Sequence, residues 1–296
     1  MHKKYFILLF ILSIISSFLA PMRSFILQWL IDSHSVKEAI TFLALGSVII
    51  LSNFIVSLFS NNLFAFLRSK CLTDIQDRII RSSFVNKGTK FTISEKISSL
   101  SNDINIISSD YFDAIFSIFT YGLLLLFALI LYVYIDVSML IFVALAGGAS
   151  VVVPRVIDCK IKKERSVFSI KNGEYISQIK EFLIGMPIIS NYSVESLYLD
   201  RCLAKTEELN STRKKYDYAV NLASGISSLV SNLLFFVVLL FGMVLVINGK
   251  ISLGYMVAAT NLSNFVIAPC QVISTNLGKY KGCKGIVGSI WNSSIF

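Results

Sequence analysis

Six apolar stretches alternate with polar segments of two very different lengths. The stretches run Phe6 to Ile31, Ala39 to Leu67, Ala114 to Ile135, Val137 to Val153, Ala219 to Ile247 and Leu253 to Thr275. Most are near the roughly 20 residues that cross a bilayer, and the fourth is short and ends at Pro154. Spans three and four meet through YIDVS, and spans five and six through NGKIS; connections this short force antiparallel neighbours. Ser35 with Glu38, Asp136 and Ser252 each precede an apolar run, where an oxygen-bearing side chain caps the free amides of a new helix. The pattern predicts an all-α membrane protein of six transmembrane helices.

Two connections are long, residues 68–113 and 155–217. Neither shows strand-like alternation. In the second, Ile157, Ile161, Phe168, Tyr175, Ile179, Phe182 and Met186 recur mostly at steps of three, four or seven amid Lys, Glu and Ser, the spacing of one helix face. Each long segment therefore reads as a helical hairpin, and at 1.5 Å per residue the second reaches roughly 45 Å from the membrane. Tips are expected at NKGTK around Gly88, with Thr92 and Glu95 restarting the chain, and at Gly185 and Pro187, since glycine weakens a helix and proline removes an amide donor.

Charge orients the spans. Of the 27 Lys and Arg, all but Lys37, Lys250 and Arg23 fall before span one, in the two long segments, or after span six. Basic residues collect on the cytoplasmic face of a membrane protein, so both termini and both hairpins are expected in the cytoplasm. This distribution accounts for the net charge of +9 without nucleic-acid binding. Hydrophobic residues make up 55% and charged ones 15%, against roughly 25% charged in soluble domains, which agrees. Lys3 and Lys4 before an apolar run ending SFLA look like a secretory signal, but Pro21 would follow the cleavage point and the run resumes as SFILQWLI. It is read as a retained first span. The five cysteines are widely spaced, without metal-ligand pairing, and no catalytic triad or carboxylate pair stands out.

Span six carries the clearest polar face. Asn261, Asn264, Gln271 and Thr275 fall within an arc of about 80° at 100° per residue. Amides facing lipid are costly, so this stripe should face protein or water, as a packing seam or as a substrate-cavity wall. Pro269 beside it offers a place for the helix to bend. Arg23, the one charge inside a span, costs roughly 2.5–3.5 kcal/mol at a helix centre and is a further cavity candidate.

Three motifs carry a resemblance: KISSLSNDINII around Asp103; EFLIGMPIISNYSVE with Glu181, Gly185, Tyr192 and Glu195; and GKISLGYMVAATNLSNFVIAPCQVI with Gly249, Gly254 and Pro269. Together, in order and tied to six spans, they resemble the transmembrane domain of an ABC exporter over nearly the whole chain, residues 1–296. The resemblance implies two such domains packed as a homo- or heterodimer, with hairpin tips docked on ATPase subunits. By motif position, Arg81, Phe84 and Lys87 in the first hairpin and Ile189, Tyr192 and Glu195 in the second would form the coupling segments.

One part of the exporter is missing from this sequence. Gly249 and Lys250 are adjacent, but the glycine-rich spacing and following Ser or Thr of a phosphate-binding loop are absent. No nucleotide-binding domain is read, no cofactor is expected on this chain, and ATP with Mg would sit on a partner ATPase. The expected function is that of a permease subunit working by alternating access. The alternatives are a non-transporting membrane sensor or regulator, and the truncated remnant of a half-transporter. Abundant Lys, Ile, Asn, Phe and Ser suit an AT-rich bacterial genome, and hence a bacterial plasma membrane. The topology is testable with single cysteines in a Cys-free background: Ser138→Cys and Ser252→Cys should react with an impermeant thiol reagent in intact cells, and Asn86→Cys should not. Labelling at 86 and not at 252 reverses the orientation.

Overall fold

In the computed structural model, which describes residues 3–85 and 104–293, each apolar stretch lies on its own helix. These are α1 (Lys3–Ile31), α2 (Val36–Val85), α3 (Asp113–Ile135), α4 (Val137–Asn191), α5 (Glu195–Ile247) and α6 (Leu253–Ser293). A short helical turn, Ile104–Ile106, and a π-helical segment, Ile107–Phe112, lead into α3. Among the described residues, five helical segments carry apolar windows long enough to cross a membrane: Lys4–Ile31, Val36–Arg81, Ile104–Ile135, Glu195–Ile247 and Leu253–Cys283. The apolar part of α4, Val137–Val152, is shorter. Gly88, Thr92, Glu95 and Asp103 lie outside the described residues.

The predicted caps form. Ser35 Oγ accepts the Glu38 amide at 3.3 Å while the Glu38 carboxylate accepts the His34 amide at 3.0 Å, a reciprocal box that satisfies two otherwise free donors. Asp136 accepts the amides of Ser138 (2.7 Å) and Met139 (3.3 Å), and the Ser138 hydroxyl as well. These bonds, led by the Ser138 hydroxyl, hold its carboxyl below the usual carboxylate range. Ser252 Oγ accepts the Tyr255 amide at 3.2 Å. Between α5 and α6 the chain turns at Gly249, φ +69°; Lys250 N–H reaches the Leu245 carbonyl and Gly249 N–H the Val246 carbonyl, both at 2.9 Å. That pair of bonds is a Schellman turn, which needs a left-handed residue where glycine has the least to lose.

Two compact units make up the chain, Met1–Gly148 with Leu234–Phe296, and Ala149–Leu233. In the first, α6 packs against α1 and α3 around a core of Tyr132, Met139, Val143, Val238, Leu262 and Val266, all essentially inaccessible. Tyr132 donates its hydroxyl to the Ala259 carbonyl at 2.5 Å, and Phe142 stacks on Phe241 at 4.8 Å. Asp32, at the end of α1, accepts the Ser252 hydroxyl at 2.8 Å and the Gly254 amide at 3.2 Å, tying that end to the start of α6. The tie explains Gly254: a Cβ there would lie 2.4–2.6 Å from the Asp32 carboxylate. Nearer the other end, Ile79, Ile104 and Ile107 form a small buried cluster, and Tyr111 stacks on Tyr280 at 5.6 Å.

The second unit is an antiparallel hairpin of α4 and α5. Ile161, Phe168, Tyr175, Ile179 and Phe182 are all half-buried along its seam, as their spacing predicts; Met186 is instead exposed. Phe168 stacks on Tyr216 at 6.0 Å, and Phe182 lies 6.5 Å from Tyr198. Between these rungs Lys171 bridges to Glu208 at 2.9 Å, and Lys205 holds the same carboxylate at 2.7 Å. The two ammonium groups, Lys205 first, pull the Glu208 carboxyl down to about 2. The expected break at Gly185 and Pro187 does not occur: α4 runs through both to Asn191. Their local cost is offset by the seam, since tertiary packing overrides propensity. The chain reverses instead at Ser193, φ 54°, where Val194 N–H bonds to Ile189 O and Ser193 N–H to Ser190 O, a second Schellman turn with serine in the glycine position.

Two substitutions test these turns. Gly254→Ala must expel Asp32 from the α6 start and should cost about 1–3 kcal/mol, read as a lowered Tm in detergent. Gly122→Ala, inside α3 where a Cβ meets nothing within 4 Å, is the control and should not lower Tm, since alanine favours a helix over glycine. Ser193→Gly removes a left-handed side chain worth about 1 kcal/mol and should raise the stability of the hairpin; a fall would mean that Ser193 is held by contacts other than the turn.

Candidate functional site

The α6 stripe is where the spacing puts it. Leu262, Ser263, Val266 and Pro269 are buried on one side of the helix, while Asn264 and Thr275 are exposed and Asn261 and Gln271 half-buried on the other. Asn261 donates its amide to the Val257 carbonyl at 3.4 Å, and Thr275 its hydroxyl to the Gln271 carbonyl at 3.0 Å. Arg23 of α1 is exposed, with its guanidinium 4.6 Å above the Phe265 ring. That cation–π contact gives the charge a partner on α6 worth about 0.5–1 kcal/mol at an exposed site.

At the hairpin turn the three named residues come together and separate into two roles. Ile189 is buried at 6% exposure and anchors the turn, whereas Tyr192 is 75% exposed and Glu195 also faces out. Around Tyr192, Ile184 and Ile188 are exposed at 70% and 63%. Behind the turn, α4 and α5 enclose a cavity of about 610 Å³ lined by Phe182, Ile189, Tyr198 and Arg201 among others. In the first long segment, Arg81 is exposed and paired with Asp77 one turn earlier at 2.8 Å. Phe84 lies on α2 outside the described side chains, and Lys87 lies outside the described residues.

A third feature was not anticipated. Between α1, α2 and α3 lies a cavity of about 670 Å³ lined by hydroxyls and amides: Ser13, Ser16 and Ser17 from α1, Asn53, Ser57, Ser60 and Asn61 from α2, and Ser117, Thr120 and Tyr121 from α3. Ser13 and Ser60 hydroxyls pair at 3.1 Å, Ser16 donates to the Asn53 carbonyl oxygen at 3.2 Å, and Ser17 to the Thr120 backbone carbonyl at 3.3 Å. Arg68 and Asp113, 2.5 Å apart, also line it. On each helix these residues recur at steps of three or four, a signal legible in the sequence. Its meaning depends on which faces meet. Among the described residues no group of His, Cys, Asp and Glu is arranged to hold a metal ion.

The sequence matches the family model for the ABC transporter transmembrane region over residues 6–270; the chain belongs to that family. No curated protein sequence matches it. The family makes this a multi-pass membrane protein with a permease-type role, in which the transmembrane domain is a transport component and not the catalytic one.

Proposed function

We propose that this chain is the permease subunit of an ATP-driven exporter, moving its substrate across a bacterial plasma membrane by alternating access. In this reading six spans cross the bilayer, α4 contributing the short fourth one, and the α2–α3 and α4–α5 hairpins project into the cytoplasm with both termini. Two copies, or this chain and a related one, pack as a dimer, and ATP with Mg is bound and hydrolysed by ATPase domains supplied in trans. Closure of those domains moves the hairpin turns, α4 and α5 carry the motion along unbroken helices, and the polar α6 face with Arg23 lines the cavity that changes its access. Rigid elements moved at one end are a standard way to switch a packed site between two states.

The observation that carries this reading is the exposed apolar turn at Tyr192. The helices on either side of it carry exposed charges at Lys180, Glu181, Asp200 and Arg201, so lipid is a poor cover for it and a protein surface a good one. Tyr192→Ala should weaken co-purification with the ATPase subunit by about tenfold, the scale of losing an aromatic anchor. Glu195→Ala should weaken it less, and neither should lower thermal stability, since both side chains point away from the hairpin seam. Unchanged association and unchanged ATP turnover in both variants would exclude this docking site and favour a sensor that does not transport.

A further inference from the structure

Arg68 follows the last residue of the second apolar stretch, and Asp113 precedes the first residue of the third. On the span limits read from the sequence, both therefore stand at the same membrane boundary, where lipid headgroups lie. Their side chains are about one-third exposed, at 32% and 39%, so the pair is open to a ligand. Both residues line the 670 Å³ cavity; Arg68 alone also lines an apolar cavity of about 380 Å³, which shares Phe64, Arg68 and Phe116 with the first and adds Leu9, Phe10 and Phe119. Phe64 and Phe116 stack between the two at 4.0 Å.

A net-neutral ion pair selects its ligand by charge arrangement. A purely anionic group drawn to Arg68 meets Asp113, and a purely cationic one drawn to Asp113 meets Arg68; a group carrying both signs a few ångströms apart satisfies each. The serine and asparagine side chains supply neutral donors and acceptors, and the aromatic cavity accepts a hydrocarbon chain. We propose that the α1–α2–α3 cavity binds a zwitterionic aminophospholipid. Its phosphate lies on Arg68 and its ammonium on Asp113, its ester oxygens meet the hydroxyls, and one acyl chain enters the aromatic slot. The site does not depend on the transport cycle proposed above.

The test is native mass spectrometry of the full chain in detergent, equilibrated with equal amounts of phosphatidylethanolamine, phosphatidylglycerol and diacylglycerol. A separate sample receives only the soluble headgroup, glycerophosphoethanolamine. Phosphatidylethanolamine should be retained about tenfold over each competitor, equivalent to 1.4 kcal/mol, and the soluble headgroup should not be retained. Arg68→Gln and Asp113→Asn should each abolish that preference. Because either variant can disturb folding, Ser117→Leu provides a second route: it fills the polar cavity, leaves the ion pair intact, and should lower phosphatidylethanolamine retention by a similar factor. Equal retention of all three lipids, retention of the soluble headgroup at the same level, or an unchanged preference in a folded Ser117→Leu chain would overturn the assignment.

Discussion

Polar groups held at the depth of a bilayer have no water to turn to, and that constraint organises the membrane part of this chain. The Tyr132 hydroxyl is fully buried and finds the Ala259 carbonyl; Ser13, Ser16 and Ser17 find partners on α2 and α3; Asp32 finds the amide and hydroxyl at the start of α6. Each such bond contributes only about 0.6 kcal/mol on average in membrane proteins, because the alternative partners in an unfolded bundle are also protein. Their larger effect is on specificity. A helix rotated by half a turn would present these hydroxyls to hydrocarbon, so the bonds set which faces meet. Ser24 is the exception among the described residues, buried with its hydroxyl unpaired.

The hairpin obeys a different balance because its outer faces are charged. The Lys171–Glu208–Lys205 arrangement is only half-buried, and pairs open to solvent contribute little to stability. Stability comes from the narrow apolar seam marked by Phe168 with Tyr216 and Phe182 with Tyr198. That seam also explains why the helix survives Gly185 and Pro187, whose intrinsic cost is spread over a packed face.

The readable features were those whose physics is local. Caps at Ser35, Asp136 and Ser252 depend on residues within one turn, and each forms as its spacing predicts. The half-buried face of α4 and the polar face of α6 follow from periodicity alone. Reversal at Ser193 was not readable, because serine carries no signature for a left-handed backbone and the stronger local signals, Gly185 and Pro187, pointed about two turns too early. The hydroxyl-lined cavity was half readable: Asn53, Ser57, Ser60 and Asn61 form a stripe on α2, as do Asp113, Ser117, Thr120 and Tyr121 on α3. Whether such stripes meet each other is decided by tertiary contacts that no single helix encodes.

Exposure means different things in the two settings. Leu145, in the fourth apolar stretch, and Ile184, near the hairpin turn, are both 70% exposed. Leu145 sits among apolar neighbours, where lipid is as good a solvent as a protein core and no partner is required. Ile184 lies in a segment flanked by Lys180, Glu181, Asp200 and Arg201, which hold it in water, where each buried square ångström of apolar surface is worth about 25 cal/mol. The free energy left uncollected at the turn is therefore of the kind a protein surface recovers on docking. On α6 the same logic runs in reverse: there the unusual residues are the polar ones, and it is Asn264 and Thr275, not the leucines around them, that call for something other than lipid. One chain thus presents two incomplete surfaces of opposite character, an apolar one in a charged setting and a polar one in an apolar setting.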